Sequence, residues 1–165
     1  MKKYALSLHH FNTAYVVGDT ESYHRHTIES LALFLNFLFE NPKLKCNLEI
    51  NGYSLEFIYK NYPYVFEKLK FLIDNEQIEL ISTTYSPQLW IAFPKTDMIK
   101  SLRYNFNLLK RLGLKQSRIF FAQENFFYEG IKYLKEWFDI AIIKDDYYFH
   151  FYNYQDKNNL TRCTN

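Results

Sequence analysis

Apolar residues along this chain fall into short runs separated by longer amphipathic stretches. Tyr4-Ala-Leu-Ser-Leu8 is a short apolar run with polar residues on both sides and predicts a first strand. From Ser22 to Glu40, the positions Ile28, Leu31, Ala32, Leu35 and Leu38 recur at three-and-four spacing, which predicts a helix. Asp19, Thr20 and Ser22 are its candidate caps, and Asn41-Pro42 stops it. Lys45 to Ile50 predicts a second strand, with Asn51-Gly52 as a turn. Ser54 is expected to cap a short helix through Tyr59, and Pro63 suits the first turn of another reaching Ile73. Gln77 to Ser82 reads as a third strand, followed by a polar-aromatic loop over residues 83–89. Lys95 to Leu112 predicts a helix closed by Gly113. Arg118 to Ala122 and Asp139 to Lys144 are the fourth and fifth strands, with a helix from Asn125 to Trp137 between them.

Strands alternating with helices of this length predict βα units and a parallel sheet, an α/β fold. One domain is expected over residues 1–152. Residues 153–165 are Asn- and Tyr-rich without a period and read as an irregular tail.

Composition narrows the function classes. The 165 residues suffice for one domain with a substantial core. A net charge of +2, with acids and bases interspersed, gives no field of the kind that gathers nucleic acid. Only two cysteines occur, Cys46 and Cys163, without CxxC spacing, as in a reduced chain. No apolar run approaches the roughly 18 residues a membrane span needs. A cytoplasmic protein with neither nucleic-acid nor membrane partners is the expectation. Aromatic residues make up 20% of the chain. Flat rings stack on sugar faces, but most of these rings lie at helical spacing and are expected to fill the core.

Candidate chemistry follows from the fold class, because ligands of parallel α/β proteins sit at the carboxyl ends of strands. The first strand delivers His9, His10 and Asn12, and the second delivers Asn51. The third delivers Thr83, Thr84, Tyr85 and Ser86, the fourth Gln123, Glu124 and Asn125, and the fifth Asp145 and Asp146. Glu124 follows an apolar strand directly and is flanked by amides and Phe126-Phe127, a setting that suits a nucleophile or an acid/base. A carboxylate that merely favours a helix N-terminus would look the same. Asp145 and Asp146 would orient sugar hydroxyls or form a solvated turn. His9 and His10 are substrate-contacting candidates, but adjacent strand residues face opposite ways, so at most one enters a given pocket. His24-Arg-His26 diverges on a helix and lacks the i,i+4 clamp of a zinc site. No P-loop or GxGxxG occurs, so neither metal nor nucleotide cofactor is expected.

The ordered set of segments resembles glycoside hydrolase family 57, whose members act on α-glucans: amylases, 4-α-glucanotransferases and branching enzymes. The likeness runs from residue 4 to about residue 152. Leu8-His-His-Phe-Asn12 is similar to the family's first motif, His-Gln-Pro, with His9 on the His and His10 and Phe11 in place of Gln and Pro. Residues 78–97 are similar to the region where members show Gly-Gly-Phe-Tyr-Glu-Pro. Tyr85, Pro87, Pro94 and Asp97 match, while Ser86 replaces the Glu. Phe121-Ala-Gln-Glu-Asn-Phe-Phe127 is similar to the segment holding the catalytic nucleophile, and Glu124 takes its place. Ile142-Ile-Lys-Asp-Asp-Tyr-Tyr-Phe149 is similar to the end of the next strand.

The resemblance implies part of a (β/α)7-type barrel of the glycoside hydrolase/deacetylase superfamily. It also implies retaining glycosyl transfer by two carboxylates about 5–5.5 Å apart, with an α-glucan or oligosaccharide as substrate. Glu124 would be the nucleophile, with His9, His10, Tyr85, Asp145 and Asp146 binding substrate. The family's acid/base is an Asp on a later strand, with which neither Asp145 nor Asp146 aligns. A (β/α) barrel takes about 250 residues, so an incomplete barrel is expected, with its missing C-terminal part as partner. Two other readings stay open: a non-catalytic carbohydrate-binding or remnant protein, and a metal-dependent polysaccharide deacetylase-like enzyme.

Overall fold

The computed structural model describes residues 7–13, 19–87, 94–121 and 129–142. Parallel strands alternate with helices, as the hydrophobic periods predict. The strands are β1 (Leu8–His10), β2 (Cys46–Glu49), β3 (Ile78–Ile81), β4 (Ile119–Phe121) and β5 (Ile140–Ile142). β1, β2 and β3 pair in parallel in that order, with Leu8 opposite Asn47 and Cys46 opposite Ile78. β4 and β5 form a second parallel pair. A parallel bridge between Ser82 and Phe120 joins the two: Ser82 N–H donates to the Ile119 carbonyl and Phe121 N–H to that of Ser82, at 2.9 and 2.8 Å. No closed barrel forms among the described residues.

The first helical stretch has three parts: α1 (Thr20–His26), a π-helical segment (Thr27–Ala32) and α2 (Leu33–Glu40). Asp19 is the N-cap, its carboxylate accepting from Ser22 N–H at 2.9 Å. Thr27 Oγ1 donates back to the Tyr23 carbonyl at 2.9 Å, where the helix widens. α3 (Gly52–Asn61) is capped by Asn51, which accepts from Ser54 N–H at 2.8 Å. The expected cap, Ser54, instead turns its hydroxyl to Thr13, accepting from Thr13 N–H at 2.9 Å. α4 (Pro63–Asp74) starts on its proline, whose missing N–H costs nothing there.

α5 (Lys95–Leu112) has the predicted bounds and ends in a Schellman motif. Gly113 takes φ 65°, its N–H bonds the Lys110 carbonyl at 3.2 Å, and Leu114 N–H bonds that of Leu109 at 3.0 Å. The segment expected to be an α-helix from Asn125 is described only from Glu129, and Glu129–Glu136 is 3-10 helical.

Two cores hold these elements. The larger packs Leu31, Leu35 and Leu38 with Leu69 and Leu72 against Leu48, Ile78 and Leu80 of the sheet. The smaller joins Met98 and Leu102 of α5 to Phe120, Leu134 and Phe138. Burying a Leu or Ile side chain contributes about 1.5–3 kcal/mol, and such aliphatic residues make up most of the buried apolar positions among the described residues. The expectation that aromatic rings fill the core holds in part among the described residues, where Phe11, Phe34, Tyr62, Tyr85, Phe106, Tyr133 and Trp137 pack against the two cores. Phe66, Phe120 and Phe138 are the fully buried rings, whereas Phe37, Phe39, Tyr53, Tyr59, Tyr64, Phe71 and Tyr104 are exposed. Helical spacing puts these rings on a helix face, but the inner face is already filled by branched aliphatic residues.

Candidate active site

Strand β1 extends two residues further than predicted, so His9 and His10 lie within it rather than after it. Alternation then separates them. His9 faces the helices: its ring sits 4.8 Å from that of Phe34 on α2, and its Nε2 is 2.9 Å from Ser7 Oγ. His10 shares the other face with its β2 partner Glu49, and its Nδ1 bonds Glu49 Oε2. The His10 ring also meets the edge of Phe121 on β4, with centroids 6.0 Å apart. In a flat sheet, strands three places apart would stand roughly 14 Å from each other. Side chains of β1 and β4 therefore touch because the sheet curls, making this its concave face.

Glu49 is fully buried, an unusual position for a carboxylate. Asn12, which follows β1, is fixed at one end because its Oδ1 accepts from Asn51 N–H at 2.8 Å. That bond assigns its amide, so the Nδ2 end points to Glu49 Oε2 at 3.4 Å and to the His10 ring at 3.3 Å. Buried Asn51, Thr83 and Thr84 continue this polar rim along the ends of β2 and β3. Asn105 on α5 supports it, donating to the Thr83 carbonyl at 2.8 Å. Gly52 permits the close approach. A Cβ there would lie 2.4 Å from Asn105 Oδ1 and 2.7 Å from the Tyr85 ring.

Tyr85 takes a different direction from His10. Its hydroxyl donates to Glu56 of α3 at 2.8 Å, and its ring lies edge-on to Tyr104 at 4.6 Å. Burial, then the Glu56 bond, pushes Tyr85 ionisation well above its usual range. The same bond holds the Glu56 carboxyl below its usual value, with Lys60 and Arg111 adding to the effect. Tyr85 also borders a shallow cleft of about 300 Å³ with Asp97, Lys100, Ser101 and Tyr104. Glu124, Asp145 and Asp146 lie outside the described residues. His24 bonds the Tyr62 hydroxyl at 2.5 Å. Among the described residues, no three His, Cys, Asp or Glu side chains converge as metal ligands, and no helix is long and apolar enough to cross a membrane. Burial raises the Cys46 thiol to about 11, so this free cysteine is a poor nucleophile.

A second cavity, of about 410 Å³, opens at the opposite end of the strands beside Ser7, Asn47, Glu79 and Ser117. Asn47 and Ser117 both donate to Glu79, at 2.7 and 2.6 Å. This end precedes β1–β4 in the chain. By the strand-end rule it is the stability side, and the His10–Glu49 end is the candidate site. Sequence reasoning missed Glu49 altogether. The signal was present: a carboxylate on the polar parity of Cys46-Asn-Leu-Glu-Ile50, level with the second strand's end.

The sequence model for glycosyl hydrolase family 57 matches residues 2–158. An alpha-amylase of Pyrococcus horikoshii is 27% identical over 116 residues, 70% of this chain and 18% of its own length. Alpha-amylase 1 of Dictyoglomus thermophilum is 26% identical, over 70% of this chain and 17% of its own. A 4-alpha-glucanotransferase of Thermococcus litoralis is 27% identical over 78% of this chain and 19% of its own. The crystal structure of a 4-alpha-glucanotransferase from Thermococcus litoralis superposes with a TM-score of 0.78 at 21% identity, covering 87% of this chain and 23% of that one. The chain spans about a fifth of the length of these curated relatives. Because the family's sequence model matches 2–158 of the 165 residues, the chain belongs to glycosyl hydrolase family 57.

Proposed function

We propose that this chain is part of an α-glucan hydrolase or glucanotransferase working by the retaining two-carboxylate mechanism. The observation that carries the reading is the meeting of His10 and Phe121 over the concave face, at the strand ends of a family 57 chain. Phe121 stands three positions before Glu124, the proposed nucleophile, so the strand that leads to this carboxylate ends beside the first-strand histidine.

In this reading Glu124 attacks the anomeric carbon, and a protonated carboxylic acid from a later strand assists the departing sugar oxygen. Holding one carboxyl ionised and the other protonated requires unlike surroundings for the two. In the family that acid is an Asp on a later strand, with which neither Asp145 nor Asp146 aligns. His10 is the strand β1 histidine that reaches substrate. His9, turned to Phe34 on the helix side, and Tyr85, held by Glu56, stand away from this face, and Asp145 and Asp146 complete the sugar contacts.

Glu124→Gln in the full-length protein is expected to abolish turnover of maltooligosaccharides while leaving the circular dichroism spectrum intact. Unchanged turnover would remove the nucleophile assignment. Ser86, in place of the family's Glu, favours one second reading: a carbohydrate-binding protein without turnover. Calorimetric binding of maltooligosaccharide with no hydrolysis or transfer would establish it.

A further inference from the structure

We infer that Glu49 is a positioning residue that fixes the tautomer and orientation of His10 toward the substrate. Its role for substrate rests on the α-glucan reading; its effect on the imidazole does not. Three observations combine. Glu49 has no exposed side-chain surface, whereas the His10 side chain is 38% exposed, so the pair reaches from the interior to the surface. Glu49 Oε2 accepts from His10 Nδ1 and lies 3.4 Å from Asn12 Nδ2, whose amide is itself held by the Asn51 backbone. The register puts Glu49 directly opposite His10 on the same face of adjacent parallel strands.

A carboxylate is acceptor only. Bound to Nδ1, it requires the proton on that nitrogen, which leaves Nε2 of the neutral ring as an acceptor. A free imidazole prefers the opposite tautomer, with the proton on Nε2. The buried carboxylate therefore selects Nε2, which lies 3.3 Å from Asn12 Nδ2, as the nitrogen that meets a sugar hydroxyl in that amide's place, as outer partners of ligating histidines do. The ring is also braced against the Phe121 edge, which restricts its rotation. Asn12 adds a donor that cannot flip without losing its bond to Asn51. Glu49 touches no substrate in this arrangement and acts only through His10.

Long-range 1H–15N correlation spectra of the full-length protein, recorded at about pH 8, above the ordinary histidine range, test this. The native His10 ring is expected in the Nδ1–H form. Glu49→Leu is expected to move it to the Nε2–H form, and Glu49→Gln, which keeps an acceptor, to restore the native pattern. A native Nε2–H ring, or a leucine variant with unchanged imidazole nitrogens, overturns the inference. The native and glutamine spectra decide it even if the leucine variant does not fold. Calorimetry with maltoheptaose on the same proteins is expected to show about tenfold weaker binding for Glu49→Leu and near-native binding for Glu49→Gln. A tautomer switch with unchanged affinity overturns the substrate role. A switch in a chain that binds no maltoheptaose keeps Glu49 as positioning residue and removes the α-glucan reading instead.

Discussion

The two faces of strand β2 differ more than those of most parallel strands. On the helix side, Cys46 and Leu48 are buried among Leu35, Leu69 and Ile78. On the concave side, Asn47 bonds Glu79 and Glu49 bonds His10. Parallel sheets are usually apolar on both faces, because helices or a packed barrel interior cover both. Here one face does the packing and the other carries polar groups in pairs. The difference separates stability from chemistry within four residues. Burial of aliphatic area drives the fold from the helix side, while the concave side spends its positions on groups that must each find a partner.

Substitutions along the same strand sharpen that contrast. Leu48→Ala is expected to cost about 2–5 kcal/mol in urea unfolding, since a fully buried side chain leaves a cavity. Asn47→Ala, one residue away, removes a single hydrogen bond and is expected to cost about 0.5–1.5 kcal/mol. Equal costs would mean that the two faces share the load, against the division described here.

The smallest effect concerns the rim. Tyr85→Phe deletes the donor to Glu56 and changes the pH dependence more than the stability itself. The Glu56 carboxyl lies below its ordinary value of 4.5 in the folded chain, with the Tyr85 bond as the largest cause. A depressed carboxyl contributes stability that is present above its unfolded value and lost as pH falls through the folded one. The native chain is thus expected to weaken on acidification below about pH 4.5, and Tyr85→Phe to weaken less steeply there. Parallel acid limbs in thermal melts would show that the bond does not set the Glu56 ionisation.

Much of the fold was legible because its signals are local. The Asp19 cap, Pro63 at a helix start and Gly113 in the left-handed region each act within one turn and appear where the residue types put them. The misreadings have tertiary causes. Asn51 caps α3 because Thr13, distant in sequence, takes the Ser54 hydroxyl. β1 reaches His10 because β2 supplies partners up to Glu49, a pairing invisible in the first ten residues. The exposed Phe37 and Phe71 have the same spacing as core residues, and only the assembled sheet decides which helix face is inner. Of the site, strand ends pointed to His10, Asn12 and Asn51. They could not reveal that His9 turns to Phe34 or that a buried Glu49 stands behind His10, because both depend on register and on the hand of the curl.

The claim at the centre is that sugar meets the concave face at the carboxyl ends of β1 and β4. Titrating maltoheptaose into the isotope-labelled chain and following its resonances tests this directly. The account predicts that shifts concentrate on His10, Asn12 and Phe121, with Leu48 and Leu80 on the helix side unmoved. Shifts confined to the helix side, or to the cavity beside Asn47 and Glu79, would contradict it.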